Sequence, residues 1–309
     1  MSMTPSRSIL VPLDGSAFAE QALPLAVEIA RRTNAILQLA LVHHPVPALA
    51  MAVEVPDIES ALDVDTRDRE QHYIADVAHR LHTEENLPVT GLVLDGIVAD
   101  AICQHVEATG VDLVVSTTHG RGQLSRFWLG SVADQLMRRL GVPVLLIRPR
   151  ETPSVLSAHR LDRITVALDG SRFAEQALDI ASSFARLFGS TLDLLFVVEP
   201  PPPIADPSGL MIIPPTPDAE ANLRKNATEY LERVAGRLRD EGLKVECQAI
   251  DGGNPATTIL QQAEQRGAGL IALATHGAGG LERLMVGSVA DKVIRGATTP
   301  VLIVRPARG

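Results

Sequence analysis

The sequence predicts an α/β protein built from two tandem, doubly wound, five-stranded parallel sheets flanked by helices. The first observation is an internal repeat, because residues 13–23 return as residues 168–178 with a single substitution. The second is that both copies end on the same apolar pattern, at residues 143–149 and 300–306. The third is that strand-like and helical patterns alternate between these ends, which is typical of right-handed crossovers in a parallel sheet.

The length and composition indicate a two-domain soluble protein. A chain of 309 residues can form two separate cores, and we predict domains at residues 1–150 and 163–309 joined by a polar linker at residues 151–162. A net charge of −9 and an aromatic content of 3% argue against nucleic-acid and anionic-membrane partners. Residues 1–7 lack a signal-peptide pattern and no apolar run reaches membrane-span length, so we expect a cytoplasmic location.

The first unit contains five apolar runs and four helical patterns in alternation. The predicted strands are residues 8–13, 36–42, 89–94, 113–116 and 143–147. The predicted helices are one from Ser16, one with Tyr73, Val77 and Leu81 on one side, one at residues 99–108 and one at residues 131–139. Their apolar residues recur at three- and four-residue spacing, which predicts one buried face on each helix. A proline-punctuated loop at residues 44–56 separates the second strand from the next helix.

The second unit repeats this order. Its predicted strands are residues 163–168, 191–198, 244–250, 270–274 and 300–304. The proline-rich residues 200–217 are interpreted as a surface loop or lid, with disorder as the open alternative. The two cysteines, Cys103 and Cys247, occupy unrelated positions in the two units, so we expect buried free thiols rather than a disulfide or a metal site.

A glycine-rich loop follows the fourth strand of each unit and leads into a helix. Gly120 and Gly277 are each followed, after nine residues, by Gly130-Ser131 and Gly287-Ser288 respectively. Glycines allow backbone N–H groups to approach an anion, and the helix start adds unpaired donors and a partial positive charge. The pattern therefore predicts a phosphate site with a serine at the helix cap, and a plain turn with a serine N-cap is the alternative.

One acidic residue follows the first strand of each unit. Asp14 and Asp169 should lie at the same sheet edge as the glycine loops, since ligands of doubly wound sheets bind beyond the carboxyl ends of the strands. Asp-Gly-Ser is also a turn signature, so an Asx-type turn is the alternative role of both aspartates.

The repeated unit resembles the universal stress protein family in its nucleotide-binding branch, and the whole chain resembles the tandem members of that family. The resemblance rests on the spacing of Gly120 and Gly130-Ser131, which is copied at Gly277 and Gly287-Ser288. It implies a Rossmann-like sheet of the adenine nucleotide alpha hydrolase type, with ATP, with or without Mg²⁺, in each half. It also implies ribose contacts from the two aspartates and adenine contacts from Val42 and Val197. The implied phosphate cradle consists of Gly120, Gly130, Ser131 and Val132 in the first half and of Gly277, Gly287, Ser288 and Val289 in the second.

Both copies depart from the family pattern at its first glycine. Thr117 and Ala274 stand there, and a side chain at this point would obstruct a phosphate or strain the backbone if a positive φ were needed. Alanine is the milder change, so the second site is expected to be the better one. His119 and His276 sit in the adjoining turn, where we expect each imidazole to bond a backbone carbonyl rather than to catalyse a reaction.

Three functions follow from these patterns. The first is a stress-response or signalling regulator that binds adenine nucleotide and acts by changing conformation or partner binding. A slow ATPase is the second, and a structural pseudo-dimer with one or both sites degenerate is the third. The Walker lysine loop and the dinucleotide glycine fingerprint are both absent from the sequence. The resemblance implies pairing of the two halves through their last strands and allows a homodimer of two chains.

Overall fold

The computed structural model describes residues 8–44, 56–119, 129–150, 161–200, 204–205, 212–213, 216–275 and 286–305, with the backbone alone at residues 56–62, 204–205 and 212–213. Contacts divide the chain into two compact units between residues 159 and 160. Each described unit is a parallel sheet with helices on its faces, as the alternating pattern predicts.

The first unit has the strand order β3-β2-β1-β4-β5, and every neighbouring pair is parallel. Its strands are β1 Ser8–Leu13, β2 Ile36–His43, β3 Val89–Asp95, β4 Leu113–Thr117 and β5 Val144–Ile147. Its helices are a 3₁₀ turn at Ala19–Ala22, α1 Leu23–Thr33, α2 Pro56–Glu85, α3 Val98–Thr109 and α4 Ser131–Arg139. The strand order changes direction between β1 and β4, so the crevice for a ligand lies at the carboxyl ends of these two strands.

The second unit has the equivalent order β10-β7-β6-β11-β12, again with every neighbouring pair parallel. Its strands are β6 Arg163–Leu168, β7 Thr191–Val198, β8 Ile204–Ala205, β9 Ile212–Ile213, β10 Lys244–Asp251, β11 Leu270–Ala274 and β12 Val301–Val304. Its helices are α5 Arg172–Phe188, α6 Pro217–Asp240, α7 Pro255–Gln265 and α8 Ser288–Gly296. The switch in strand order falls between β6 and β11, which is the copy of the β1 and β4 crevice.

The last two strands in the order of each sheet are buried on both faces. All residues of β4, β5, β11 and β12 are buried, which explains why these runs read as continuous apolar stretches rather than as alternating ones. Helices α1 and α5 each bury an apolar stripe against the sheet while their charged residues face solvent. The core therefore holds the strand ends at the crevice in place.

The helix predicted from Ser16 begins later than expected. A short 3₁₀ turn at Ala19–Ala22 leads into α1, whereas the equivalent helix α5 runs unbroken from Arg172. Pro24 lies at the start of α1 and has no N–H to continue an α-helical ladder from the preceding turn. Asp179, whose backbone keeps its N–H, occupies the equivalent place in α5.

Other differences are confined to element ends. The strands β5 and β12 begin one residue later than predicted, since Pro143 and Pro300 have no N–H, although their carbonyls still accept from Val114 and Ile271. Within residues 200–217 the structure describes the antiparallel pair β8 and β9 and the N-cap Thr216, and the rest lies outside the described residues. Cys103 is buried as expected, but Cys247 is only half-buried, which corrects the prediction for that thiol.

Candidate functional site

The two aspartates at the crevice both form Asx turns. Asp14 Oδ1 accepts from the Ser16 amide at 2.9 Å and from the Ser16 hydroxyl at 2.6 Å. Asp169 Oδ1 accepts from the Ser171 amide at 2.9 Å. The glycine between has a positive φ in both turns, 78° at Gly15 and 82° at Gly170, which favours glycine there. The turn alternative is thus confirmed, and the ribose contact stays a prediction.

Backbone hydrogen bonds connect the end of β4 to β5 and to the start of α4. Thr118 N–H donates to Ile147 O at 2.8 Å, and Gly130 N–H donates to Thr118 O at 2.8 Å. In the second unit Thr275 N–H donates to Val304 O at 3.0 Å, and Gly287 N–H donates to Thr275 O at 2.6 Å. Each sheet therefore places a helix N-terminus at the carboxyl end of the strand beside the Asx turn.

Glycine, and not serine, occupies the N-cap of both helices. Gly130 and Gly287 are the caps of α4 and α8, and neither helix has a capping hydrogen bond from a side chain. Ser131 and Ser288 are instead the first helical residues and are exposed, so the prediction of serine caps was wrong. A Cβ at Gly130 would lie 3.0 Å from Thr118 O, which explains why the close strand-to-helix contact takes glycine. Val132 and Val289 follow in the first turn, half-buried.

The two valines implied as adenine contacts lie at the ends of the second strands. Val42 pairs with Leu94, Val197 pairs with Ile250, and both valines are half-buried. A Cβ at Gly252 would lie 2.8 Å from Val197 Cγ1, so the chain leaving β10 passes close to this side chain. These positions are compatible with an apolar wall at the crevice, and the adenine contact stays a prediction.

The residues in place of the first motif glycine are accommodated without backbone strain. Thr117 and Ala274 are buried at the ends of β4 and β11, and neither has a positive φ. The Thr117 hydroxyl donates to His119 O at 2.8 Å, so it bonds its own loop. Neither side chain therefore forces the backbone into an unusual dihedral angle.

Among the described residues, His119 bonds a side chain and not a backbone carbonyl, contrary to the prediction. Its Nδ1 lies 3.0 Å from the Thr118 hydroxyl, and within the described ranges its buried Nε2 has no hydrogen-bond partner. Burial, reinforced by the nearby Arg148 guanidinium, lowers the pKa of His119. The imidazole is thus neutral at physiological pH. Gly120, Gly277 and His276 lie outside the described residues.

Sequence reasoning missed the contact that a tyrosine makes with the repeated segment of the first unit. Tyr73 on α2 donates to Glu20 Oε1 at 3.0 Å, and Arg80 donates to Glu20 Oε2 at 2.9 Å. Burial and then the charge and hydrogen bond of Glu20 raise the pKa of Tyr73, with Asp14 contributing. The helix α2 is thereby fastened to the segment that follows the Asx turn.

The second unit carries the equivalent tyrosine. Burial and then Glu175, which corresponds to Glu20, raise the pKa of Tyr230, and Asp169 contributes again. The Tyr230 ring meets Phe196 edge-on with centroids 6.0 Å apart, and the Arg233 guanidinium lies 5.3 Å above it. These are the chain's two tyrosines, and this signal was present in the sequence as a Tyr and a Glu repeated at matching positions.

We expect Tyr73→Phe to lower the free energy of unfolding by about 1 kcal/mol, because one hydrogen bond to a carboxylate is lost without a change of shape. Urea unfolding of wild type, Tyr73→Phe, Glu20→Gln and the double variant measures the coupling between the two side chains. A coupling energy below about 0.3 kcal/mol would show that this contact does not fasten α2.

Comparison with known proteins places this geometry in a family. The profile of the universal stress protein family matches residues 5–148 and again residues 160–305. The chain belongs to the universal stress protein family. Because the profile matches twice, the chain is a tandem member.

Some relatives in the universal stress protein family match nearly the whole chain, and others match one half of it. A universal stress protein of Mycolicibacterium smegmatis is 28% identical over 311 residues, covering 96% of this chain and 97% of that relative. The universal stress protein YxiE of Bacillus subtilis is 31% identical over 147 residues, covering 47% of this chain and 99% of its own length. A crystal structure of a universal stress protein from Archaeoglobus fulgidus has a TM-score of 0.69 at 21% identity and covers 96% of both chains, which shows the fold.

Within the described ranges, no helix combines the length and apolar character needed to cross a bilayer. Among the same residues, no three His, Cys, Asp or Glu side chains are gathered as a metal ion would require.

Proposed function

We propose that this tandem universal stress protein is a regulator that binds ATP at the crevice of each half. The observation that supports the proposal is the meeting of an Asx turn and a glycine-capped helix start at the switch in strand order, repeated in both units. A helix start of this kind offers backbone donors and a partial positive charge to a phosphate. An aspartate beside it suits the ribose hydroxyls.

The contact to α2 supports a regulatory output. In the proposed complex, nucleotide would contact the segment after β1, and this segment is bonded through Glu20 to Tyr73 of α2. A ligand that favours one position of that segment would therefore also bias the position of α2. The slow ATPase is kept as the second candidate because His119 places a neutral, buried imidazole beside the phosphate loop.

The proposal is tested with nucleotide-stripped protein, titrated calorimetrically with ATP and Mg²⁺. We expect two binding sites in wild type. Asp14→Asn and Asp169→Asn keep the Asx acceptor but remove the negative charge, so each should weaken one site by about tenfold. Retention of full affinity in both variants would contradict the ribose assignment, and the absence of heat and of any change in melting temperature would contradict nucleotide binding.

A phosphate-release assay on the same samples separates regulator from enzyme. Binding without release supports the regulator, whereas release that is lost with either Asn variant supports the slow ATPase. Pairing of the two halves, a homodimer and a cytoplasmic location stay predictions from the sequence.

A further inference from the structure

A buried histidine in the first half lies between two carboxylates of one helix. His43 is the last residue of β2 and is 1% exposed. Its Nδ1 lies 2.6 Å from Glu70 Oε2, and its Nε2 lies 3.2 Å from Asp63 Oδ1. Both acids are on α2, and their spacing of about two helical turns puts them on the same face. The imidazole therefore bridges the strand end to two points along α2.

Both ring nitrogens of His43 face acceptors, and this geometry selects one protonation state. A carboxylate can only accept, and only the imidazolium carries an N–H on each ring nitrogen. The neutral ring would turn a lone pair toward one of the two carboxylates, and that contact would become repulsive. The two hydrogen bonds can therefore exist together only when His43 is protonated.

The surrounding charges also favour the imidazolium. Asp95 on β3 is the register partner of His43, and Arg67 on α2 donates to Asp95 at 3.0 Å. The charged groups facing His43 from α2 and β3 are thus three carboxylates and one guanidinium. Burial alone would lower the pKa of His43, but the hydrogen bonds and charges of Glu70 and Asp63 outweigh it and raise that pKa.

The second half shows that the fold does not require this bridge. Val198 occupies the position of His43, and Ala227 occupies that of Glu70, with both residues buried. The arginine pair is kept there, since Arg224 on α6 donates to Asp251 at the end of β10 at 3.1 Å. An apolar pair therefore fills the same space between strand end and helix, and the imidazolium bridge is particular to the first half.

We propose that His43 with Glu70 and Asp63 is a proton-binding site that holds α2 to the end of β2 and thereby regulates nucleotide binding in the first half alone. The coupling to nucleotide rests on the proposed function. His43 directly follows Val42, and Asp63 lies in the second turn of α2, the next helix along the chain. Holding α2 to β2 therefore constrains the strand end that carries the proposed adenine contact.

Loss of the proton should release Asp63 first. Its contact with His43 is the longer one, and its side chain is 38% exposed against 20% for Glu70. Water can replace the histidine as the partner of Asp63 more readily than it can for Glu70. The early turns of α2 would then detach from β2, while the Glu70 end stays bonded.

The direction of the pH effect follows from the raised pKa. A histidine whose folded pKa lies above its ordinary value of 6.5 contributes stability that is fully present below that value. The contribution is lost as the pH rises through the folded pKa. We therefore expect α2 to be held most firmly to β2 below neutral pH.

The proton site itself is tested without nucleotide, on the full chain. Histidine ring protons are followed by NMR from acid to alkaline pH in wild type and in His43→Val/Glu70→Ala, which copies the second half. We expect one resonance with a pKa above 6.5 that is missing from the copy. Glu70→Gln should lower that pKa while retaining the fold. A His43 resonance that titrates at or below its ordinary pKa would overturn the proposal.

The coupling is tested by ATP titration at pH 6 and pH 8 in chains that also carry Asp169→Asn, which weakens the second site. With His43 present, affinity should fall about fivefold more between the two pH values than in the His43→Val/Glu70→Ala chain. The ionisation of ATP is common to both chains and cancels. Equal ratios would overturn the coupling, and absence of ATP binding in every chain would instead overturn the proposed function, with the proton site judged by NMR.

Discussion

Gly130→Val is expected to weaken ATP binding to the first half by more than tenfold while the second half binds as before. A Cβ at this position would lie 3.0 Å from Thr118 O, so the strand end and the helix start must move apart. The 2.8 Å hydrogen bond from Gly130 N–H to that same oxygen would be strained or lost. The helix amides would then no longer point at the site where we place the phosphates. Calorimetric titration of the full chain measures the affinity of each half.

Gly141→Val provides the matched control for this prediction. Gly141 lies in the same unit just beyond α4, it has no positive φ, and a Cβ there would have no atom within 4 Å. We expect its ATP affinity to equal that of wild type. A comparable loss in both variants would mean that any valine in this region disturbs the half, and the phosphate role of Gly130 would be refuted.

Arg266→Met is expected to destabilise the second half by about 3 kcal/mol, the larger of the structural effects that we predict. Asp193 on β7 is 1% exposed, and its Oδ2 accepts from Arg266 Nε at 2.7 Å. Within the described residues, its Oδ1 has no hydrogen-bond partner. Removing the guanidinium would leave the buried carboxylate without its hydrogen-bonded cation and with only the charge of Arg163 to stabilise it. Urea unfolding measures the change.

The stability that Arg266→Met loses should depend on pH in one direction. Burial raises the pKa of Asp193 above its ordinary 3.8, and the charge of Arg266 opposes that rise. Without Arg266 the folded pKa should rise further, so the stability deficit should be smallest at acid pH and grow as the pH rises through it. Adding Asp193→Asn should recover much of the loss at neutral pH. A deficit that is independent of pH and unchanged by Asp193→Asn would contradict this explanation.

The parallel sheet and the succession of strands and helices along the chain could be read from the sequence because both leave local patterns. The four-residue apolar runs of β5 and β12, each preceded by Pro and followed by Arg-Pro, and the strand-like run of β6 appear in the structure within one residue of the predicted ends. The late start of α1 was missed because the repeat suggested one helix for both units. Pro24 and its missing N–H decide the outcome locally.

The candidate site was predictable only where its residues are close in sequence. The Asx turns and the glycine at the strand-to-helix junction follow from short motifs. The bonds of His43 to Glu70 and of Tyr73 to Glu20 join residues 27 and 53 positions apart. Such contacts depend on where α2 crosses the sheet, and no periodicity in the chain specifies that crossing.

The replacement of His43 by Val198 between the two copies has a consequence for stoichiometry. An assembly of two identical single-unit chains must carry the same side chain at both equivalent positions. In a fused chain, each copy can change independently. Every molecule then carries one unit with the proposed pH-sensitive site and one unit without it, in a fixed one-to-one ratio. A cell could therefore tune the response of one half by point substitution without needing a second gene or a mechanism that sorts mixed dimers.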